Sequence, residues 1–288
     1  MRDLNYRLKR LVFENKHDGS HSTRAARQTI LQQAANTLHD LGYRKLNPEG
    51  FKPKHVEALV THWQSQGLSS GTVKNRLSHL RWWAGRIGKP AIIARDNGHY
   101  QVARRVYVTG EDKARALDDK RLANVTDPHT RLSLRLQQAF GLRREEAIKF
   151  SPTVADKGDK LILKASWTKG GKAREIPVRN AAQRQLLDEV RRFAGHGALI
   201  PGNKNYVQQM RTYERNTVKA GLDKNHGLRH GYAQARYEEL TGWLCPAVGG
   251  PQRKSLKIEQ READRVARET ISRELGHARI SIVAVYCG

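Results

Sequence analysis

Between Ser22 and Ile87 the apolar residues recur three times at helical spacing, and a glycine-containing break follows the first two runs. From Ser22, Leu31, Ala34, Leu38 and Leu41 share one face, with Ser and Thr available as N-cap and Gly42 as the stop. Lys54 to Trp63 sets Val56, Leu59, Val60 and Trp63 at i, i+3, i+4 and i+7. After the break at 67–71, Val73, Leu77, Leu80, Ala84 and Ile87 form the clearest stripe of the chain. Such stripes must be buried against something, so a small helical bundle is expected. Lys74, Arg76, Arg81 and Arg86 lie largely outside the last stripe, either as a solvated face or as contacts to phosphates.

Residues 1–20 are basic and polar, with some helical character and a turn-like HDGS at 17–20. Residues 88–112 break the helical period and read as a link between two domains, drawn most narrowly at 101–111. The domains are then 1–100 and 112–288. In the second, a helix is expected at 128–140 (Leu132, Leu136, Ala139, Phe140) and another after Gly141-Leu142-Arg143. KLILKASW, TKGGK and AREIPV read as strand, tight Gly-Gly turn and strand. A helix at about 180–193 (Ala182, Leu186, Val190, Phe193) precedes a loop-rich stretch to Lys224. Residues 241–255 read as loop, and a charged helix at roughly 257–275 ends at Gly276. The expected fold is mostly α with a small β-hairpin.

Fifty-three Lys and Arg face 28 Asp and Glu, a formal charge of +25 and a pI near 10.4. That excess opposes compaction unless a polyanion shares the surface, which makes nucleic acid the leading partner. An anionic membrane is the rival, but no apolar run approaches the roughly 20 residues a spanning helix needs. The N-terminus is charged throughout, unlike a signal peptide. Cys245 and Cys287 are the only cysteines, which fits a reducing cytoplasm.

Three windows carry candidate chemistry: FGLRREEAI with Arg143, NHGLRHG with His226 and Arg229, and ELGHARISIVAVYCG with His277 and Tyr286. They make sense together on one phosphate, with two guanidiniums on its oxygens, imidazoles handling protons and a tyrosine attacking. Singly, each has a plainer reading. Arg143 opposes the helix dipole if it starts a helix, and is otherwise a surface charge that Glu146 can pair at i, i+3. His226 and His230 are spaced for zinc, but neither the glutamate of a zinc-protease helix nor a close cysteine set accompanies them. Either imidazole can equally be a core histidine. Lys169-Gly170-Gly171-Lys172 lacks the Ser or Thr of a phosphate loop and reads better as a hairpin tip. Tyr286 alone is an ordinary aromatic.

The order GLRxxE, TKGGKxREIPV, HxLRH, LGHxxIxxxxxY resembles the tyrosine recombinase (phage integrase) family across about residues 112–288, and the first hundred residues resemble its helical SAM-like core-binding domain less specifically. The resemblance implies a two-domain recombinase with a mixed α/β catalytic domain, closing on double-stranded DNA like a C-shaped clamp. It implies catalytic residues Arg143, Lys169, His226, Arg229, His277 and Tyr286, no cofactor and no metal. Arg143 and Arg229 would clamp the non-bridging oxygens while Tyr286 attacks, leaving a 3′-phosphotyrosyl link and a free 5′-hydroxyl. Lys169 would protonate the departing oxygen, His226 would assist the tyrosine proton and His277 would bond a phosphate oxygen. Lys172 joins Lys74, Arg76, Arg81 and Arg86 as an expected DNA contact. A homotetramer on two attachment sites, accessory DNA-bending proteins, no membrane, and a prokaryotic, nucleoid-associated setting complete the expectation.

Two departures stand out. The chain between Arg229 and His277 is longer than the family usually has, with the excess placed at 241–262, and only Cys287 and Gly288 follow Tyr286. The latter implies either a truncated chain or a different mode of assembly. The rival functions are a type IB topoisomerase-like nicking-closing enzyme and a DNA-binding regulator that keeps the fold without the chemistry.

Overall fold

The structure, a computed structural model, describes residues 2–168 and 171–288. The chain divides into two compact units between Val106 and Tyr107.

The first unit is a bundle of four helices, α1 (Asp3–Glu14), α2 (His21–Asp40), α3 (Pro53–Ser65) and α4 (Ser70–Arg86). Leu4, Leu8 and Val12 of α1 close onto Leu31, Ala34, Ala35 and Leu38 of α2. Ser20 caps α2 by accepting from the Thr23 N–H, Ser69 caps α4 by accepting from Thr72, and Gly42 at φ +95° ends the α2 segment. Val56, Leu59, Val60 and Trp63 of α3 meet Val73, Leu77, Leu80, Trp83 and Ala84 of α4, with Phe51 stacked 3.9 Å from the Trp83 ring.

Part of the stretch read as a linker is instead core. Residues 90–92 and 97–100 form single 3₁₀ turns, and Ile93, Tyr100 and Val102 are buried in the first unit. Arg81 explains how. Its guanidinium donates to the Ala94 carbonyl at 2.6 and 3.1 Å and to Asn97 Oδ1 at 2.8 Å, and the Tyr100 hydroxyl accepts from the Ala94 N–H.

The second unit carries α5 (Asp119–Ala123), α6 (Pro128–Phe140), α7 (Arg144–Ile148), α8 (Pro152–Ala155), β1 (Lys160–Leu163), β2 (Arg174–Pro177), α9 (Ala181–Ala194), α10 (Tyr206–Lys219), α11 (Gly227–Thr241), α12 (Ile258–Glu274) and α13 (Ala284–Cys287). Its main core joins Leu136 and Phe140 of α6, Ala233 and Tyr237 of α11, Ala267 and Ile271 of α12, and the α9 side chains Leu186, Leu187 and Val190. The strands pair antiparallel, from Lys160 opposite Pro177 to Leu163 opposite Arg174. Leu161, Leu163 and Ile176 face inward by simple alternation.

Several expectations need correction. The first strand stops at Leu163, because Ala165–Trp167 turns as a 3₁₀ helix, so the strands are not joined by a two-residue turn. The stretch from α9 to Lys224 contains α10, whose buried face is Gln209, Thr212, Tyr213 and Thr217. In α9 the inward face is Gln183, Leu186, Leu187 and Val190, while Ala182 and Phe193 are exposed. Within 241–255, residues 246–248 and 253–255 form 3₁₀ turns. Among the described residues no helix is long and apolar enough to cross a membrane.

Candidate active site

α6 ends at Gly141, whose left-handed backbone (φ +59°) swings the chain into α7. Arg143 is the N-cap of α7, and the expected i, i+3 pairing is present. The Arg143 N–H donates to Glu146 Oε2 at 2.6 Å and its Nη1 to Oε1 at 2.7 Å. From β2, Arg174 Nη2 donates to the same Oε2 at 2.6 Å. Glu146 is wholly buried.

His226 immediately precedes α11, on whose first turns lie Arg229 and His230. Gly227 is required there, since a Cβ would come within 2.4 Å of Arg115 Cγ. Arg229 is only 1% exposed. Its Nη1 donates to the Gly141 carbonyl, its Nη2 donates to the Leu275 carbonyl and lies 3.4 Å from His277 Nε2, and its Nε lies 3.4 Å from the Tyr286 hydroxyl.

α12 closes in a Schellman turn. Gly276 (φ +64°) donates to the Arg273 carbonyl at 2.9 Å and His277 to Ser272 at 2.8 Å, which aims His277 back toward the helix and the site. Glu274, on the last turn, accepts from the Tyr232 hydroxyl at 2.7 Å and from Arg236, tying α12 to α11. A 3₁₀ turn (Ile280–Val283) leads into α13, whose Tyr286 is 5% exposed. The Tyr286 ring lies 4.6 Å from that of His230, 5.5 Å from His277 and 6.2 Å from His226. Gln234 of α11 donates to the Tyr286 carbonyl at 3.2 Å.

Burial, reinforced by Arg229 and other basic neighbours, lowers the pKa of all three imidazoles: His226 in direction, His230 to about 4 and His277 to about 3. They are therefore neutral near pH 7, able to accept a proton or donate a hydrogen bond. Burial likewise lowers Arg174 to about 9. Two guanidiniums, those of Arg143 and Arg174, share the Glu146 carboxylate, and with Arg229 they stand beside a cleft of about 1050 Å³, lined by Arg143, Lys172, His226, Arg273, His277 and Tyr286 among others. Such a site favours an anion with several oxygens. Among the described residues no group of three or more His, Cys, Asp or Glu is arranged to hold a metal.

Two family models match the sequence, that of the phage integrase N-terminal region over residues 1–89 and that of the integrase over residues 106–235. The chain belongs to the phage integrase family.

Solved structures of tyrosine recombinases share its fold. A lambda integrase dimer bound to a COC′ core site has a TM-score of 0.64 at 15% identity, covering 99% of this chain and 95% of that one. The Tn1549 transposon integrase with circular intermediate DNA gives 0.58 at 13%, covering 97% and 94%. XerH recombinase bound to a palindromic difH substrate gives 0.58 at 16%, covering 99% and 81%. No curated protein matches the sequence.

Of the residues the motifs single out in this integrase, Arg143, His226, Arg229, His277 and Tyr286 converge, and Lys172 lines the same cleft. Lys169 lies outside the described residues. In the first unit Lys74 is exposed, whereas Arg76 stacks over Trp63, Arg81 holds residues 94–97, and Arg86 pairs with Asp18 at 2.7 Å. Sequence reasoning passed over Arg174 and gave His230 no place in the site. Alternation was the missed signal, because an inward Ile176 puts Arg174 on the inward face too.

Proposed function

We propose that this integrase is a site-specific DNA recombinase that cuts and rejoins double-stranded DNA through a 3′-phosphotyrosyl intermediate. The observation that carries the reading is the placement of the Tyr286 hydroxyl 3.4 Å from Arg229 Nε, in a cleft shared with Arg143, His226 and His277. The Tyr286 oxygen attacks phosphorus, the 5′ oxygen leaves, and its proton comes from Lys169. Arg143 and Arg229 hold the non-bridging oxygens, where negative charge builds in the transition state. Neutral His226 receives the phenolic proton, and His277 donates to a phosphate oxygen. The bond energy stays in the protein–DNA ester, so a 5′-hydroxyl can reverse the step and close a new strand.

The substrates are attachment sites of a mobile element, integrated or excised by four copies of the chain on two duplexes. A solved lambda integrase tetramer bound to a Holliday junction has this fold, with a TM-score of 0.58 at 17% identity. Accessory DNA-bending proteins and a place on the prokaryotic nucleoid belong to the same reading. The test is covalent trapping. Supercoiled plasmids carrying fragments of the source genome are incubated in EDTA with wild type or Tyr286→Phe and run on a denaturing gel. An adduct from wild type alone is expected. An adduct from the Phe variant, or none from wild type on DNA it binds, refutes the mechanism, and relaxed circles without recombinants point to a topoisomerase.

A further inference from the structure

Arg174 is a guanidinium that none of these roles uses. It opens β2, its side chain is 3% exposed, and it reaches the carboxylate that holds Arg143. Oε2 of Glu146 accepts both from Arg174 and from the Arg143 peptide N–H, leaving Oε1 for Arg143 Nη1. This division matters. A guanidinium and a free carboxylate settle into a two-bond fork, which would take from Arg143 the donors that a phosphate needs. With Oε2 already occupied, the side chain of Arg143 is held by a single bond among the described residues.

The aliphatic part of Arg174 has a second contact. It runs under Gly276, where a Cβ would come within 2.8 Å of Arg174 Cδ, and Gly276 is the turn residue immediately before His277. The charged end is only partly satisfied. Among the described residues, Nε and Nη1 of Arg174 are buried without a hydrogen-bond partner. For packing alone an apolar side chain would serve better, because a buried ion pair seldom gains over one.

We propose that Arg174 is a positioning residue for DNA cleavage: by occupying one oxygen of Glu146 and supporting the Gly276 turn, it keeps Arg143 open to the scissile phosphate and His277 in place. The inference rests on the recombinase reading. It is tested on a plasmid that wild type cleaves, comparing single-turnover adduct formation, DNA affinity and melting temperature for Arg174→Gln, Arg174→Lys, Glu146→Gln and the double variant Arg174→Gln/Glu146→Gln.

Arg174→Gln is expected to slow adduct formation by about 100-fold, the scale of an ångström-sized misplacement, with DNA affinity within about threefold of wild type. Arg174→Lys, which keeps the charge but loses the guanidinium's shape and reach, recovers part of the rate. Adding Glu146→Gln to Arg174→Gln costs no further rate, because the carboxylate that captures Arg143 has gone. Losses that multiply in the double variant overturn the proposal, as does wild-type cleavage by Arg174→Gln. If Arg174→Gln does not fold, Arg174→Lys decides, since cleavage at the wild-type rate by that variant is equally fatal. No adduct from wild type sinks the recombinase reading first, whereas equal adducts from wild type and Arg174→Gln sink only this inference.

Discussion

Replacing Gly141 with alanine should damage both the stability and the chemistry of the catalytic unit. Gly141 has φ +59°, a conformation that costs an L-residue about 1–2 kcal/mol. A Cβ there would also lie 2.6 Å from Tyr232 Cδ1, 2.9 Å from Cγ and 3.0 Å from Leu275 Cδ2. Tyr232 has little room to retreat, being buried and bonded through its hydroxyl to Glu274 at 2.7 Å. Overpacking of this kind adds about 1–3 kcal/mol, for a total of about 2–5 kcal/mol. In a unit of this size that lowers the melting temperature by about 4–20 °C. Gly242→Ala is the control, because Gly242 also ends a helix with positive φ (+81°) but has no described atom within 4 Å of an added Cβ. Circular dichroism melts of the two variants isolate the steric part. Adduct formation by Gly141→Ala should also slow by about 100-fold, since the Gly141 carbonyl that orients Arg229 moves with the backbone. Two variants melting within about 1 °C of each other would refute the reasoning.

The pH dependence of folding follows from the lowered histidines. His226, His230 and His277 take up protons more readily unfolded than folded, so their contribution is complete above the ordinary value of 6.5 and is lost as pH falls toward about 4 and 3. Urea midpoints should fall between pH 6.5 and 4.5, less steeply in His277→Asn, and a midpoint flat over that window contradicts the assignment. For Asp156 burial is outweighed by the Arg184 hydrogen bond and other donors, which lower it to about 2; its contribution is complete above 3.8 and is lost only below that, outside the histidine window. In the first unit, Trp63→Ala removes a 1%-exposed ring that Arg76 covers, and should cost about 3–5 kcal/mol, read as faster hydrogen exchange in peptides from residues 1–106.

Legibility followed where burial was apolar. The stripes of α2, α3, α4 and α6 needed only hydrophobic spacing, and Gly42 and Gly276 marked ends that the backbone requires. α10 was invisible because its inward face is polar, with Gln209 donating to Asp127 at 2.8 Å and Tyr213 accepting from Gln137 at 2.9 Å. Residues 88–102 carry no period, since they are held by Arg81 and Tyr100 rather than by a repeating face. The site divides the same way. Its motif residues announce themselves by chemistry and spacing, whereas Arg174 looks like one more charge until the pairing of β2 fixes its direction.

Arg143 and Arg229 are anchored by different kinds of acceptor, and the difference bears on how the site tolerates error. The anchor of Arg143 is a side chain, so a single substitution at Glu146 deletes it. The anchors of Arg229 are the peptide carbonyls of Gly141 and Leu275, which every amino acid carries. A substitution at residue 275 alters the packing around the guanidinium but leaves its acceptor encoded. That half of the proposed phosphate clamp is written in the path of the chain, and mutation removes it only by bending the path or replacing the arginine itself.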